Sequence, residues 1–290
     1  MTLSIIIINY HSIEYLKSCI ESIYAVLSSC DFEVIIVNNS PEEDISSVSV
    51  NRNNLKIIEN SNRGFANACN IGAFNSSGNY LFFLNPDTTI QNDDFENAIK
   101  SYEQLNAGSF GFKLLNPDSS LQLSFGEDIN IKGEIKNKHL EKEFRNKSHR
   151  AIEDIEIKYS EITPVNWVSG AAMMISRVVF DKVNGFDERF FLYYEDSDLC
   201  KRIALSGNKN YYYPFIKIKH LKGENTNSNF TNSTYYVAKQ SQLLYYKIHL
   251  SNIELLKLRL YMFAKFSIKY LTTFKPVFFK IILLAAGLKK

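Results

Sequence analysis

Short apolar runs alternate with amphipathic segments along the first half of the chain. The runs that predict strands are residues 3–9, 32–38, 55–59 and 79–84, and helical spacing occurs over 13–28 and 64–75. This alternation is typical of βαβ units, so it predicts an α/β fold with a mostly parallel central sheet and helices on both faces. Ligands of such sheets bind outside the carboxyl ends of the strands, here near Asn9, Asn38 and Asn85.

The second half has a less regular pattern. Residues 126–160 are rich in Lys, Glu, Asn and Ile without a clear period, which predicts a loop or a mobile insertion over the site. The chain becomes apolar again over 164–176, and residues 216–219 alternate like a short strand. Helical spacing over 232–250, 253–271 and 276–288 predicts a helical C-terminal tail.

Charge changes this picture mainly at the C-terminus. The net charge is only +2, yet Leu255 to Lys290 contains eight cations and no acidic residue. A basic amphipathic helix suits an anionic membrane surface, although a helix that packs on the domain with solvated lysines explains the same pattern. Because these cations lie in an apolar segment and not on a polar face, nucleic acid is excluded as a partner.

The location of the protein is predicted from what the sequence lacks. No stretch reaches the roughly 18 apolar residues of a spanning helix. The first residues predict a strand directly, without a basic segment and cleavage site, so no signal peptide is expected. We therefore expect a cytoplasmic protein that is peripheral on the inner face of the cell membrane.

Asp87 is the first candidate for chemistry. It follows a buried strand in Asn85-Pro86-Asp87. A carboxylate at such an exit can bind a hard divalent cation, which in turn bridges a diphosphate. Asn-Pro-Asp is also ordinary turn chemistry, so the motif alone leaves both interpretations open.

Three acidic residues within four positions are the second candidate. Glu195, Asp196 and Asp198 begin a predicted helix directly after an aromatic run. Acidic residues at a helix N-terminus are favoured by capping and by the helix dipole, which accounts for one or two of them. The third favours a base that faces the substrate.

Two further positions carry weaker signals. His220 ends a short alternating strand, where it is either a metal ligand or proton carrier, or a half-buried structural residue. Gly64 opens a helix after Asn62-Arg63, which suggests a corner that binds a diphosphate. Neither GxGxxG nor GxxxxGK[ST] occurs in the chain.

Taken in order, seven segments of residues 4–220 resemble the family 2 inverting glycosyltransferases, especially the bacterial rhamnosyltransferase-like branch. The segments are Ser4-Ile5-Ile6-Ile7-Ile8-Asn9-Tyr10, Ile35-Ile36-Val37-Asn38-Asn39-Ser40, residues 62–70, Leu84-Asn85-Pro86-Asp87, residues 113–122, Trp167-Val168-Ser169-Gly170-Ala171 and residues 185–200. The resemblance implies a GT-A fold. It implies a glycosyltransferase domain over 1–230, with a nucleotide-sugar-binding half (1–115) and an acceptor-binding half (116–230), and leaves 231–290 as a C-terminal region.

The resemblance also implies roles for individual residues. Asp196, preceded by Glu195, falls on the catalytic base, and Asp87 with His220 would hold a divalent cation, Mg²⁺ or Mn²⁺. Residues implied to bind the nucleotide sugar are Ile8, Tyr10, Asn38, Arg63, Gly64, Asn70 and Asn85, and those implied to bind the acceptor are Trp167, Gly170 and Tyr194. Relatives have an Asp that binds the base at position 38, and this chain has Asn38, which can donate and accept hydrogen bonds but carries no charge.

The function implied is a single inverting displacement. Asp196 would take a proton from an acceptor hydroxyl, which attacks the anomeric carbon of a nucleoside-diphosphate sugar, with dTDP-rhamnose as the family-weighted donor. The acceptor expected by analogy is a cell-surface polysaccharide or a lipid-linked glycan precursor. Two alternatives are a nucleotidyltransferase, which usually has a basic Gly-rich N-terminal loop, and a catalytically degenerate nucleotide-sugar-binding or scaffold protein of a glycan-assembly complex.

Overall fold

The strands predicted in the first half of the chain are present, and they pair in parallel. The computed structural model describes residues 2–50, 52–145, 149–221 and 232–288. The strands are β1 (Thr2–Asn9), β2 (Asp31–Asn38), β3 (Leu55–Glu59), β4 (Tyr80–Leu84), β5 (Thr88–Ile90), β6 (Ala107–Leu115), β7 (Leu121–Gln122), β8 (Phe125–Gly126), β9 (Thr163–Val165), β10 (Trp167–Val168), β11 (Ala172–Ser176) and β12 (Lys209–His220). The helices are α1 (Ile13–Val26), α2 (Phe65–Phe74), α3 (Phe95–Gln104), α4 (Ile131–Arg145), α5 (His149–Lys158), α6 (Arg177–Lys182), α7 (Glu195–Leu205), α8 (Asn232–His249), α9 (Asn252–Thr273) and α10 (Pro276–Ala285), with a 3₁₀ turn at Ser46–Ser49.

The central sheet has the strand order β3-β2-β1-β4-β11-β6-β12-β5. The first four strands run parallel, as does the pair β6 and β12, whereas β11 and β5 run antiparallel to their neighbours. Since β11 runs opposite to β4, its first residue pairs with the last residue of β4, Ala172 with Leu84. The segment that precedes β11 therefore lies at the edge where β1, β2 and β4 end.

Helices cover both faces of the sheet, as the pattern predicts. Ile5 and Ile7 of β1 pack with α1 and α3, and Ile6 and Ile8 of the same strand pack with α2, α6 and α7. A strand buried on both faces needs apolar residues at every position, which is why β1, β2 and β4 appear as continuous apolar runs. The predicted α/β fold with a mostly parallel sheet is confirmed.

The segment 126–160 corrects the prediction of a loop. It contains the helices α4 and α5, with residues 146–148 outside the described part of the chain. Most side chains of α4 are polar, so an apolar stripe with a 3.6-residue period is absent from its sequence. Polar contacts support this helix, among them Lys138–Glu134 at 3.7 Å and Tyr194–Glu134 at 3.2 Å.

The C-terminal tail forms three helices, as predicted, and they share a separate apolar core. Leu258, Met262 and Phe266 of α9 are buried there against α8 and α10. Among the described residues, none of the helices combines the length and apolarity needed to cross a membrane. The expected boundary at 230/231 and the cations Lys289 and Lys290 lie outside the described residues.

A buried hydrogen bond joins this tail to α7. Asp198 is fully buried, and its Oδ1 atom lies 2.6 Å from His249 Nε2 at the end of α8. Its Oδ2 atom accepts hydrogen bonds from Arg202, with Oδ2–Nε at 2.8 Å. A buried carboxylate requires such partners because desolvation strongly disfavours an isolated charge. Asp198 therefore attaches α8 to the helix that begins with Glu195 and Asp196.

We predict that His249→Ala destabilises the protein by about 1–3 kcal/mol, because Oδ1 of the buried Asp198 loses its hydrogen-bond donor. Urea unfolding followed by circular dichroism measures this change. His139→Ala is the matched control, since the His139 side chain is 74% exposed. Equal free energies of unfolding for the two variants would contradict the structural role of the contact.

Candidate active site

Asn9 and Asn38 form a buried hydrogen-bond network where β1 and β2 end. Asn9 Nδ2 donates to Asn38 Oδ1 at 2.9 Å and to Glu43 Oε2 at 2.8 Å. Asn38 Nδ2 in turn donates to Glu59 Oε2 at 2.9 Å. Position 38 thus carries a neutral amide, and two carboxylates from neighbouring segments contact the network.

The other residues predicted for the nucleotide lie along the same edge in different environments. Ile8 is buried in the core, Tyr10 is 55% exposed beside the ring of His11, and Arg63 is exposed. Asn70 holds a loop together, because its side chain donates to the Phe186 carbonyl at 2.9 Å and accepts from the Phe186 amide at 2.9 Å. The amide of Asn70 therefore has a structural role.

Gly64 allows the start of α2 to pack against the loop that precedes α7. Its φ is +101°, and a Cβ atom at this position would lie 2.5 Å from the Phe191 carbonyl oxygen. The next amide, of Phe65, donates to that same oxygen at 2.9 Å. Only glycine combines this backbone conformation with so close an approach.

Asp87 and His220 are brought together although 133 positions separate them. His220 ends β12, and its Nε2 lies 3.2 Å from Asp87 Oδ1 in the turn after β4. On the other side of the ring, His220 Nδ1 lies 3.0 Å from Gln122 Nε2. When Gln122 donates this bond, the ring proton lies on Nε2 and faces Asp87.

These side chains fit a divalent cation only as part of a larger shell. Within the described ranges, no group of three or more His, Cys, Asp and Glu side chains is placed to hold a metal ion. Asp87 and His220 offer one oxygen and one nitrogen, ligands that suit Mn²⁺ or Mg²⁺ when phosphate oxygens and water complete the shell. Gln122 Oε1 is buried and has no hydrogen-bond partner among the residues that the structure describes. A flipped Gln122 amide would accept from Nδ1 and leave Nε2 available to the cation.

Asp196 lies in the first turn of α7 with its carboxylate held by backbone amides. Gly170 N donates to Oδ2 at 3.0 Å, and Ser197 N donates to Oδ1 at 2.6 Å. Burial raises the pKa of Asp196, and these donors act in the opposite direction. The Asp196 carboxylate is thereby oriented, and it retains a strong affinity for a proton.

Glu195 differs from its neighbour. It is buried, and its Oε2 atom has no hydrogen-bond partner in the described structure. Burial, together with the charge of Asp196, raises the pKa of Glu195 well above its ordinary value. In this pair the negative charge is therefore favoured on Asp196.

The turn before α7 has an unusual backbone. Tyr193 and Tyr194 both have φ of +68°, in the left-handed region that non-glycine residues rarely occupy. Tyr194 OH donates to Glu134 Oε1 on α4 at 3.2 Å, and Trp167 Nε1 donates to the Glu127 carbonyl at 2.9 Å. Strained backbone of this kind is concentrated at functional sites, where the surrounding structure maintains it.

One open cleft of about 560 Å³ collects many of these residues. The predicted site residues that line it are Asn85, Trp167, Gly170, Tyr194, Glu195, Asp196 and His220. Its remaining wall includes Gln122 and, from α4, Glu134, Asn137, Lys138 and Glu141. These α4 residues were not predicted as site residues, because the polar composition of 126–160 indicated a loop. The segment does lie beside the cleft, as expected.

Two family profiles match the chain. The profile of glycosyl transferase family 2 matches residues 4–158, which is more than half of the chain. A second profile, described as the N-terminal domain of galactosyltransferase, matches residues 146–224.

Curated relatives support the same family. Rhamnosyltransferase WbbL of Escherichia coli strain K12 is 26% identical over 234 residues, which cover 78% of this chain and 86% of that protein. The N-acetylglucosaminyl-diphospho-decaprenol L-rhamnosyltransferase of Mycobacterium tuberculosis is 41% identical over 63 residues, 22% of this chain and 20% of that protein. The low-salt glycan biosynthesis hexosyltransferase Agl10 of Haloferax volcanii is 26% identical over 204 residues, which cover 69% of this chain and 61% of that protein.

Two crystal structures share the fold. GalNAc-T7 with UDP, GalNAc and Mn²⁺ has a TM-score of 0.57 at 13% identity, over 76% of this chain and 44% of that chain. TarS of S. aureus has a TM-score of 0.55 at 14% identity, over 92% of this chain and 44% of that chain. The chain thus spans less than half of either structure. These likenesses confirm the GT-A fold.

We predict that Asp196 titrates above the ordinary Asp pKa of about 3.9. A raised pKa means that the carboxylate takes up its proton at a higher pH during acidification. Carboxyl ¹³C NMR of protein labelled at Asp measures this midpoint, with Asp196→Asn identifying the signal. Asp187 is the internal control, since its hydrogen bonds with Arg189 lower its pKa. A midpoint for Asp196 at or below the ordinary value would contradict the desolvated site.

Proposed function

Because the chain belongs to glycosyl transferase family 2, we propose that this glycosyltransferase moves a sugar, with inversion, from a nucleoside-diphosphate sugar to a hydroxyl of a lipid-linked glycan precursor. The observation that carries the proposal is the Asp196 carboxylate. It is oriented by Gly170 and Ser197 and lies in the same cleft as Asn85 and His220. This is the arrangement that a general base beside a donor-binding edge requires.

The donor is assigned to the edge formed by β1, β2 and β4, with residues 1–115 as its half of the domain. Asn38 would contact the base with Glu43 and Glu59, whose carboxylates already accept hydrogen bonds from this network. The exposed ring of Tyr10 is available for the base to stack on. The names of two relatives indicate rhamnose as the transferred sugar, so dTDP-rhamnose is our first donor.

A divalent cation would be held by Asp87 and His220 together with the donor diphosphate. When bound, such an ion neutralises charge on the departing diphosphate. The structural neighbour GalNAc-T7 was crystallised with Mn²⁺ as well as UDP, which supports testing Mn²⁺ first. The contribution of this chain is to hold the Asp87 and His220 side chains 3.2 Å apart, ready to share a ligand.

The acceptor is assigned to the part of the cleft that is lined by residues of 116–230. Trp167 and Tyr194 offer aromatic faces there, and Gly170 leaves room beside the base. Asp196 would remove the proton from the attacking hydroxyl. Burial and the charge of Asp196 raise the pKa of Glu195, which disfavours a second negative charge beside the base.

We predict that Asp196→Asn lowers transfer by about 10²–10⁴-fold, because the amide cannot accept the proton. A panel of sugar nucleotides with a lipid-extract acceptor is assayed for nucleoside diphosphate release, with Mn²⁺ and with chelator. Asp154→Asn on the exposed side of α5 is the matched control. We expect one donor to be used, loss of release with chelator, and unchanged donor binding by Asp196→Asn.

Two results would overturn the proposal in different ways. Normal turnover by Asp196→Asn would remove this residue as the base. Binding of a donor by the wild-type protein, without release for any acceptor, would favour the degenerate, nucleotide-sugar-binding alternative.

The C-terminal helices carry an exposed apolar stripe that we propose to be a membrane contact. The stripe lies on α9, opposite the buried Leu258, Met262 and Phe266. Its members recur at helical spacing: Ile253, Leu256, Leu260, Phe263 and Leu271 on α9, and Phe274 directly after its end, each 47–73% exposed. A stripe of this kind suits the boundary between headgroups and acyl chains, and neighbouring cations add attraction to anionic lipids.

We predict that the double variant Leu260→Ser/Phe263→Ser binds anionic vesicles about 100-fold more weakly, since each side chain contributes roughly 1.5 kcal/mol or more when buried. Sedimentation with phosphatidylglycerol vesicles measures the partition coefficient. Phe74→Ser/Leu205→Ser is the matched control, because both of these residues are exposed outside the tail. Equal partitioning of the two double variants would exclude the stripe as the contact.

A further inference from the structure

Four lysines from three helices gather around two tyrosine rings between α4, α8 and α9. Lys138 Nζ and Lys265 Nζ lie 5.8 Å and 5.3 Å from the centroid of the Tyr261 ring. The ammonium groups of the other pair, Lys239 and Lys269, lie 5.8 Å and 6.0 Å from the centroid of the Tyr235 ring. We call Lys138, Lys239, Lys265 and Lys269 the lysine cluster.

The positive charge of the lysine cluster is only partly compensated. In the described part of the chain, Glu134 is the one carboxylate paired with a member, at 3.7 Å from Lys138. Burial lowers the pKa of Lys239 to about 8, with the other three lysines acting in the same direction and Glu134 against it. Lysines usually extend their ammonium groups into water, away from like charges, so this arrangement calls for an anionic ligand.

Hydrogen bonds connect the lysine cluster to the start of α7, the helix that begins with Glu195 and Asp196. Lys239 Nζ donates to Gln242 Oε1 at 2.7 Å, and Gln242 Nε2 donates to Glu134 Oε2 at 2.6 Å. The other oxygen of Glu134 accepts from Tyr194, the residue before Glu195. Glu134 and Lys138 also line the cleft, so the lysine cluster adjoins the acceptor side of the site.

We infer that the lysine cluster binds a diphosphate group, and that this diphosphate belongs to the lipid-linked acceptor. Four ammonium groups, of which only that of Lys138 pairs with a carboxylate in the described part of the chain, match the multiple negative charge of a diphosphate. The helix α9 contributes Lys265 and Lys269 on one side and the exposed apolar stripe on another. Because Glu134 and Lys138 line the cleft, a lipid diphosphate bound here would have the cleft next to its sugar. The identity of the acceptor rests on the proposed function, whereas the diphosphate site does not.

The first experiment measures diphosphate binding directly. Calorimetric titration with inorganic diphosphate and with farnesyl diphosphate is run on the wild-type protein and on Lys239→Gln/Lys269→Gln. We expect the variant to lose about tenfold or more in affinity for both probes. Lys275→Gln/Lys280→Gln, which removes two exposed cations from the same tail, should bind as the wild type does. If Lys239→Gln/Lys269→Gln unfolds, the titration uses Lys138→Gln/Lys265→Gln, which removes the two cluster lysines at the Tyr261 ring.

The same variants separate an acceptor diphosphate from a phospholipid headgroup. If the cluster binds the acceptor, its variant and the Lys275→Gln/Lys280→Gln control bind phosphatidylglycerol vesicles equally. Equal diphosphate affinity of Lys239→Gln/Lys269→Gln and of the control Lys275→Gln/Lys280→Gln would overturn the site. A loss confined to vesicles would overturn the assignment to diphosphate and indicate headgroups instead.

Transfer kinetics distinguish a failure of this inference from a failure of the proposed function. With a lipid diphosphate acceptor, the cluster variant should show a KM raised about tenfold or more with little change in kcat. With a phosphate-free alkyl glycoside acceptor, its kinetics should equal those of the wild type. Unchanged KM for the diphosphate acceptor overturns the inference and leaves the enzyme intact. Absence of transfer by the wild type overturns the function, while the binding titration still decides the site.

Discussion

The buried carboxylate of Asp198 is the contact on which the arrangement of this protein depends. It sits two residues after Asp196, and its two oxygens bind Arg202 within α7 and His249 at the end of α8. Because a buried charge is tolerated only with well-placed partners, α7 and α8 are held in one arrangement. The helix α7, which begins with Glu195 and Asp196, and the C-terminal helices are thus connected, and the tail packs beside elements that line the cleft.

The turn before α7 has a strained backbone. Tyr193 and Tyr194 occupy the left-handed region, and the Phe191 carbonyl is held against Gly64 and the Phe65 amide. The turn therefore contacts α2 through Phe191 and α4 through the hydrogen bond from Tyr194 to Glu134. This double attachment holds Glu195 and Asp196 at the cleft, between α2 and α4.

Local pattern was sufficient for the parts of the fold that bury apolar surface. The strands β1 to β4 and the C-terminal helices follow from residue spacing, because each buries an apolar face and burial imposes a period. The polar helix α4 was not predicted, because Glu134 and Lys138 contact side chains from elements distant in the sequence. The strand that ends at His220 was seen only as residues 216–219, whereas pairing with β6 extends it from Lys209. In both cases the element depends on a contact with a segment distant in the sequence, which the local pattern does not record.

The sequence by itself determined the α/β class, the family and the candidate residues Asp87, Asp196 and His220, because short motifs and periodic burial are local properties. Tertiary structure alone decided which residues meet. It placed Asp87 against His220, used Asn70 to hold a loop, and gathered lysines from three helices beside the cleft. Such contacts join positions far apart in the chain, and no local pattern records a distance in space. Charge compensation, desolvation and strain arise only from that convergence, so the electrostatics of the site followed the fold.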